Sequence, residues 1–197
     1  DGRLLAMGKG TGVPLWDLAT MQPIAELPDT ASRLAFSPTD SLLAIATRNK
    51  EDQPVVKVWN VNSRRVTATL TNEASLQSLA FSPDGELLAT LDDKGSIRVT
   101  EWKSNHIVVV GKTENPIRRP EAGVVAFSPD GRRLAVGGDM GEPLLLDWQS
   151  GHVVSLQTGT ADGVTALAIS PSGDLVAAGF GYTDGTIGLW ELSTGKA

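Results

Sequence analysis

Phe81-Ser-Pro-Asp-Gly85 and Phe127-Ser-Pro-Asp-Gly131 are the same five residues, and weaker copies stand at Phe36-Ser-Pro-Thr-Asp40 and Ile169-Ser-Pro-Ser-Gly173. Their first positions are 45, 46 and 42 residues apart. A period in this range marks a repeat architecture in which each unit is one supersecondary motif. Within the motif, proline fixes its own backbone and cannot donate to a ladder, while aspartate and glycine supply a turn. An apolar run precedes each copy and another follows it, as in Ser78–Phe81 and Leu87–Leu91, so each copy reads as the turn of an antiparallel hairpin.

A third run ends near tryptophan in each unit: Val13–Trp16, Val55–Trp59, Ile97–Trp102, Leu144–Trp148 and Ile187–Trp190. A fourth follows at Pro23–Leu27, Arg65–Leu70, His106–Val110 and Val153–Gln157. Few segments carry the 3.6-residue period of an amphipathic helix. The chain therefore reads as all-β, built from units of four short antiparallel strands. A four-stranded sheet that is apolar on both faces must stack against others, and radial stacking gives a β-propeller. The alanine-rich inner runs suit sheets packed closely around an axis.

Composition agrees and excludes several classes. The 197 residues are 41% hydrophobic and 20% charged, with 21 glycines and 11 prolines placed largely between apolar runs. The formal net charge is −6 and the arginines are scattered, so no continuous basic stripe for a phosphate backbone is visible and nucleic acid is not the expected partner. Cysteine is absent, which rules out disulfides and thiolate metal sites. No apolar run approaches bilayer-spanning length, so no membrane association is expected, and a cytoplasmic location is the reading adopted.

These modules resemble the WD40 repeat family. The last is clearest: Ile169-Ser-Pro-Ser-Gly, Leu175-Val-Ala-Ala-Gly, then Thr183-Asp-Gly-Thr-Ile-Gly-Leu-Trp190-Glu191. Trp16-Asp17 matches the signature pair and Trp59-Asn60 nearly so. Asp84 and Asp130 match the acidic turn between the first two strands. Asp184 matches the turn aspartate of the family's polar network, with Asp93 a looser candidate. The network's histidine is missing in every module, since His106 and His152 fall after the tryptophan strand. Five residues beyond Gly185 stands Trp190, but five beyond Gly95 stands Thr100, with Trp102 two further on. The next module reads Asp147-Trp148, where a bulge or local extension is expected.

Strand counting gives about 18 strands over five blade positions. The expected division is a partial blade at 1–30, full blades at 31–70, 76–110 and 122–157, and a partial blade at 164–192. Family propellers often have seven blades, so the chain reads as an incomplete part of a larger propeller. Asp1-Gly2 resembles the tail of one more turn motif, which suggests a longer polypeptide. The rest of that polypeptide, or another copy, is the expected source of strands completing the ring.

Propeller sheets are spent on packing, so loops carry function. Those near 28–32, 48–54, 71–75, 112–122, 138–142, 159–163 and 179–184 share one face in the family. Two are distinctive: Arg48-Asn-Lys-Glu-Asp-Gln53 is dense in charge, and 112–122 is the longest. Arg48, Lys50, Arg118 and Arg119 are the candidate contacts for an acidic or extended partner, and Arg33 can point across the same face. The alternative for all of them is a solvated surface. Trp16, Trp59, Trp102, Trp148 and Trp190 occur once per module, which argues for packing rather than stacking platforms. The turn aspartates repeat with the modules and have local structural reasons, so no catalytic, metal or cofactor site is assigned. The expected function is a non-catalytic scaffold or sensor that binds protein or peptide partners. The alternatives are a small-ligand or catalytic propeller using the central channel, and a purely structural spacer.

Overall fold

The computed structural model describes residues 2–8, 12–112, 123–138, 142–158, 163–181 and 185–197. Among them are 18 strands and no helix. The first sheet holds β1 (Leu4–Ala6), β2 (Val13–Asp17) and β3 (Gln22–Leu27). The second holds β4 (Arg33–Phe36), β5 (Leu42–Arg48), β6 (Pro54–Asn60) and β7 (Arg65–Thr71). The third holds β8 (Leu76–Phe81), β9 (Leu87–Asp92), β10 (Ser96–Glu101) and β11 (His106–Lys112). The fourth holds β12 (Val124–Phe127), β13 (Arg133–Gly137), β14 (Leu144–Asp147) and β15 (His152–Ser155). The fifth holds β16 (Val164–Ile169), β17 (Leu175–Phe180) and β18 (Ile187–Glu191). Every sheet is an antiparallel meander of sequential strands.

The first strands β4, β8, β12 and β16 touch one another in succession, which places them at the inner edge. The core lies in the seams between consecutive sheets. Val13, Leu15 and Leu27 meet Leu43, Ile45 and Trp59 in the first seam. Ala44, Ala46 and Val58 meet Leu79, Phe81 and Trp102 in the second. Ala89, Leu91 and Val99 meet Val125, Leu134 and Val136 in the third. Ala135, Leu145 and Leu156 meet Val176, Ala178 and Trp190 in the fourth. Both faces of the inner sheets are therefore buried, as in β5, where Leu42–Thr47 are all buried. The sheets are not closed into a ring, so this is an incomplete propeller.

The repeated turn explains its own sequence. Ser82 Oγ donates to Asp84 Oδ1 at 2.5 Å and accepts from Leu87 N at 2.9 Å, and Asp84 Oδ1 also accepts from Glu86 N at 3.0 Å. Ser128, Asp130, Arg133 and Arg132 repeat this set at 2.5, 2.9 and 3.0 Å. Gly85 and Gly131 sit at φ of 76° and 71°, where a side chain is strained. Successive turns also touch. A Cβ on Gly85 would fall on the Thr39 hydroxyl, and one on Gly131 would lie 3.6 Å from Pro83.

Register resolves the drifting tryptophans. Trp16, Trp59, Thr100, Leu146 and Trp190 each stand opposite the second residue of the neighbouring strand: Leu5, Leu43, Leu88, Leu134 and Val176. These five positions are equivalent and form an upper level. Two residues on, Leu18, Val61, Trp102, Trp148 and Leu192 form a lower level. Each sheet thus carries one indole, at one level or the other. The expected bulge at Asp147-Trp148 is not found: β14 and β15 run in register from Leu144↔Ser155 to Asp147↔His152. Register shifts between the third and fourth strands occur instead at Leu15/Trp16, Val58/Trp59 and Val99/Thr100. A displacement of two residues preserves the face, so the fourth sheet needs no extra residue.

Candidate interaction site

The lower-level indoles belong to the two perfect turn motifs. Trp102 Nε1 donates to Gly85 O, and Trp148 Nε1 to Gly131 O, both at 2.8 Å. Trp102 also meets Phe81 edge-on, with centroids 6.4 Å apart. The upper-level indoles turn the other way, toward the segment entering the inner strand. Trp59 Nε1 donates to Asp29 Oδ2 at 2.8 Å, and Trp190 Nε1 to Gln157 O at 3.2 Å. Lys57 Nζ shares Asp29 through Oδ1 at 2.5 Å. Asp29 therefore answers Trp59 without a histidine. Trp16 is half-buried, and its Nε1 has no hydrogen-bond partner.

The turn aspartate of the third sheet is Asp92 rather than Asp93. Asp92 is buried, and its Oδ1 accepts from Lys94 N at 2.9 Å and Ser96 N at 2.8 Å. The Asp93 amide donates to Ser75 O. Asp184 lies outside the described residues. Asp84 and Asp130 are held below the usual carboxylate range, first by the hydroxyls of Ser82 and Ser128 and then by the amides of Glu86 and Arg132. These are structural contacts within each turn. His106 and His152 begin equivalent strands opposite Glu101 and Asp147 and are exposed. Among the described residues, no three potential metal ligands gather. No helix there is long and apolar enough to cross a membrane.

Of the five candidate contact residues, three lie among the described residues, and Arg118 and Arg119 lie outside them. Arg33 opens β4 and reaches the next sheet. Its Nε donates to Gln77 O and its Nη2 to Gln77 Oε1 at 3.1 Å, tying the inner strands of two sheets together. Arg48 ends β5. Its Nη1 donates to Asp52 O at 2.6 Å and its Nη2 to Ser75 Oγ at 3.0 Å. Lys50 is exposed at the tip of the loop between them. That loop is held from within, since Asn49 Oδ1 accepts from Glu51 N at 3.0 Å and Gln53 N at 2.9 Å.

Arg33 and Arg48 line a groove of about 380 Å³ at the mouth of the second seam, with Thr30, Thr47, Ser75 and Gln77. The chain brings four separate segments to this groove. Sequence reading found its arginines but not Thr30, Thr47, Ser75 or Gln77. These small polar residues have no motif, and their only sequence signal is position beside the 28–32, 48–54 and 71–75 loops.

Comparison with known proteins agrees with this architecture. Residues 34–119 match the model of the anaphase-promoting complex subunit 4 WD40 domain, and residues 150–191 match that of the WD domain, G-beta repeat. U3 small nucleolar RNA-associated protein 18 of Saccharomyces cerevisiae is 33% identical over 120 residues, covering 54% of this chain and 20% of that protein. Protein NEDD1 of Bos taurus is 30% identical over 89 residues, covering 43% and 13%. The chain thus spans about a fifth or less of the length of these curated relatives. With four-stranded antiparallel sheets, a repeated turn and one indole per sheet, the chain belongs to the WD40 repeat family.

Proposed function

We propose that this chain is a non-catalytic interaction module that holds a protein or peptide partner at the mouth of its second seam. One observation carries the reading: Thr30, Thr47, Arg48, Pro54, Ser75 and Gln77, from four chain segments, converge on one groove beside a self-braced, charge-dense loop. Arg33 fixes the groove wall, while Arg48 and Lys50 face an acidic or extended partner. Arginine suits this role because its planar fork grips carboxylates in two places. Arg118 and Arg119 remain proposed contacts for the same kind of partner. Matches to a complex subunit's WD40 domain and to an RNA-associated protein support work within assemblies. The exposed edge of β18, carrying Ile187 and Leu189, suits pairing with a strand from the remaining polypeptide or from another copy. A cytoplasmic location remains part of this reading.

Affinity capture with the chain and with an Arg48→Glu/Lys50→Glu variant tests the groove. Support is a protein captured only by the unmodified chain that then binds it directly when purified. The reading fails if both chains, with equal melting temperatures, capture the same proteins.

A further inference from the structure

One indole cannot fill both levels of a seam, and the structure shows where the unfilled space lies. In the first seam Trp59 holds the upper level, and a cavity of about 340 Å³ lies beside Val61 at the lower one. In the fourth seam Trp190 holds the upper level, and a cavity of about 110 Å³ lies beside Leu192. The second seam is inverted. Trp102 fills the lower level, and a cavity of about 650 Å³ opens beside Thr100 at the upper one. Thr100 stands where Trp16, Trp59 and Trp190 stand in their own sheets.

The lining of this slot departs from its counterpart in the first seam. Thr90 replaces Ile45, and Arg98 replaces Lys57, at equivalent register positions. Thr90 and Thr100 are buried and line the slot with Leu70, Asn72, Glu73 and Arg98. Arg98 Nη2 donates to Glu73 Oε1 at 2.8 Å. The Arg98 side chain is only 16% exposed, whereas that of Glu73 is 80% exposed. Arg98 Nε is buried and has no hydrogen-bond partner. A buried donor without an acceptor is costly, and an acceptor that takes the place of Glu73 and draws the guanidinium toward the slot would remove that cost. A cavity of this size is within the range of ligand pockets.

We propose that the slot between β7 and β10 receives a carboxylate side chain of a partner peptide, bound by Arg98 through Nε and Nη2. Glu73 shows that this guanidinium accepts a carboxylate, and its exposure lets it swing aside. Thr90 and Thr100 supply hydroxyl donors for the same anion. A cationic side chain would meet Arg98 unfavourably, and an aromatic one would leave Nε without an acceptor. The slot adjoins the Arg48 groove at Pro54 but is lined by neither Arg48 nor Lys50, so either can fail alone.

The test is nuclear magnetic resonance of the Arg98 Nε–H in the 197-residue chain. The probes are a capped Ser-Gly-Glu-Gly-Ser peptide and its Gln and Trp counterparts. The Glu peptide shifts this signal saturably and binds at least about tenfold more tightly than the Gln peptide, the advantage of a charge-assisted pair. Thr100→Trp fills the slot and abolishes the shift, while Arg48→Ala leaves it unchanged. Arg98→Leu, which removes both the charge and Nε, loses the preference for Glu over Gln in isothermal titration calorimetry and serves should Thr100→Trp not fold. No shift with millimolar Glu peptide, equal binding of Glu and Gln, stronger binding of Trp, or binding retained by a folded Thr100→Trp chain would overturn the proposal.

Discussion

Replacing Trp102 by alanine removes more than packing. Trp102 is 6% exposed and sits in the second seam among Leu79, Phe81 and Leu88. Truncating a buried tryptophan costs about 3–5 kcal/mol through lost transfer energy and the remaining cavity. The edge-on contact with Phe81 keeps the cost above the bottom of that range, since such pairs add about 0.5–1.5 kcal/mol beyond area. Loss of the 2.8 Å bond to Gly85 O releases the turn that braces Ser82 and Asp84. The expected loss is about 4 kcal/mol for Trp102→Ala and about 2 kcal/mol for Trp16→Ala, whose indole is half-buried and makes no hydrogen bond. Equilibrium urea unfolding followed by far-ultraviolet circular dichroism measures both. With a slope of about 2 kcal/mol per molar urea, the midpoint falls by about 2 M for Trp102→Ala and half that for Trp16→Ala. Equal losses, or a loss below about 1.5 kcal/mol at Trp102, would refute the assignment of Trp102 to a packed seam.

Two further perturbations probe the turns. Gly85→Ala meets both a strained φ of 76° and the Thr39 hydroxyl, whereas Gly151→Ala meets a similar φ of 74° with open space around it. Gly151→Ala is expected to cost about 1 kcal/mol and Gly85→Ala clearly more, as read by thermal unfolding. Asp84 and Asp130 have folded pKa values below their unfolded ones, so each stabilises the fold above the unfolded value. That stability is lost as pH falls through the ordinary aspartate range toward the lower folded values. Asp84→Asn/Asp130→Asn should therefore flatten the acid side of a melting-temperature profile and lower stability at pH 7. An unchanged acid limb would remove the turns from this role.

How much was legible in the sequence follows from what repeats. The Phe-Ser-Pro-Asp-Gly copies encode a local event, a hairpin turn whose hydrogen bonds are completed within six residues, so spacing alone gave strands and sheets. The displacement of Trp102 from Thr100 was also visible. Its meaning was not, because the level an indole occupies depends on register between strands and on the facing sheet. The same holds for Asp29, which accepts from Trp59 and Lys57 across 28 residues or more. The looser candidate Asp93 lies one residue from Asp92, whose side chain braces the turn, and two adjacent aspartates carry no sequence signal of which side chain turns inward. At the groove, charge drew attention to Arg48 and Lys50, while Gln77 and Ser75 became visible only when β4 and β8 met.

Each sheet carries one indole, placed at either of two levels. The direct measurement is the stability of Trp102→Val and of Trp102→Val/Thr100→Trp, which rebuilds the pattern of Trp59 and Val61 in the third sheet. Urea unfolding should show the second substitution recovering at least about 1.5 kcal/mol of the loss caused by the first, the order expected for burying a large side chain in an existing cavity. No recovery, or a further loss in a folded double variant, would contradict the two-level account and the slot built on it.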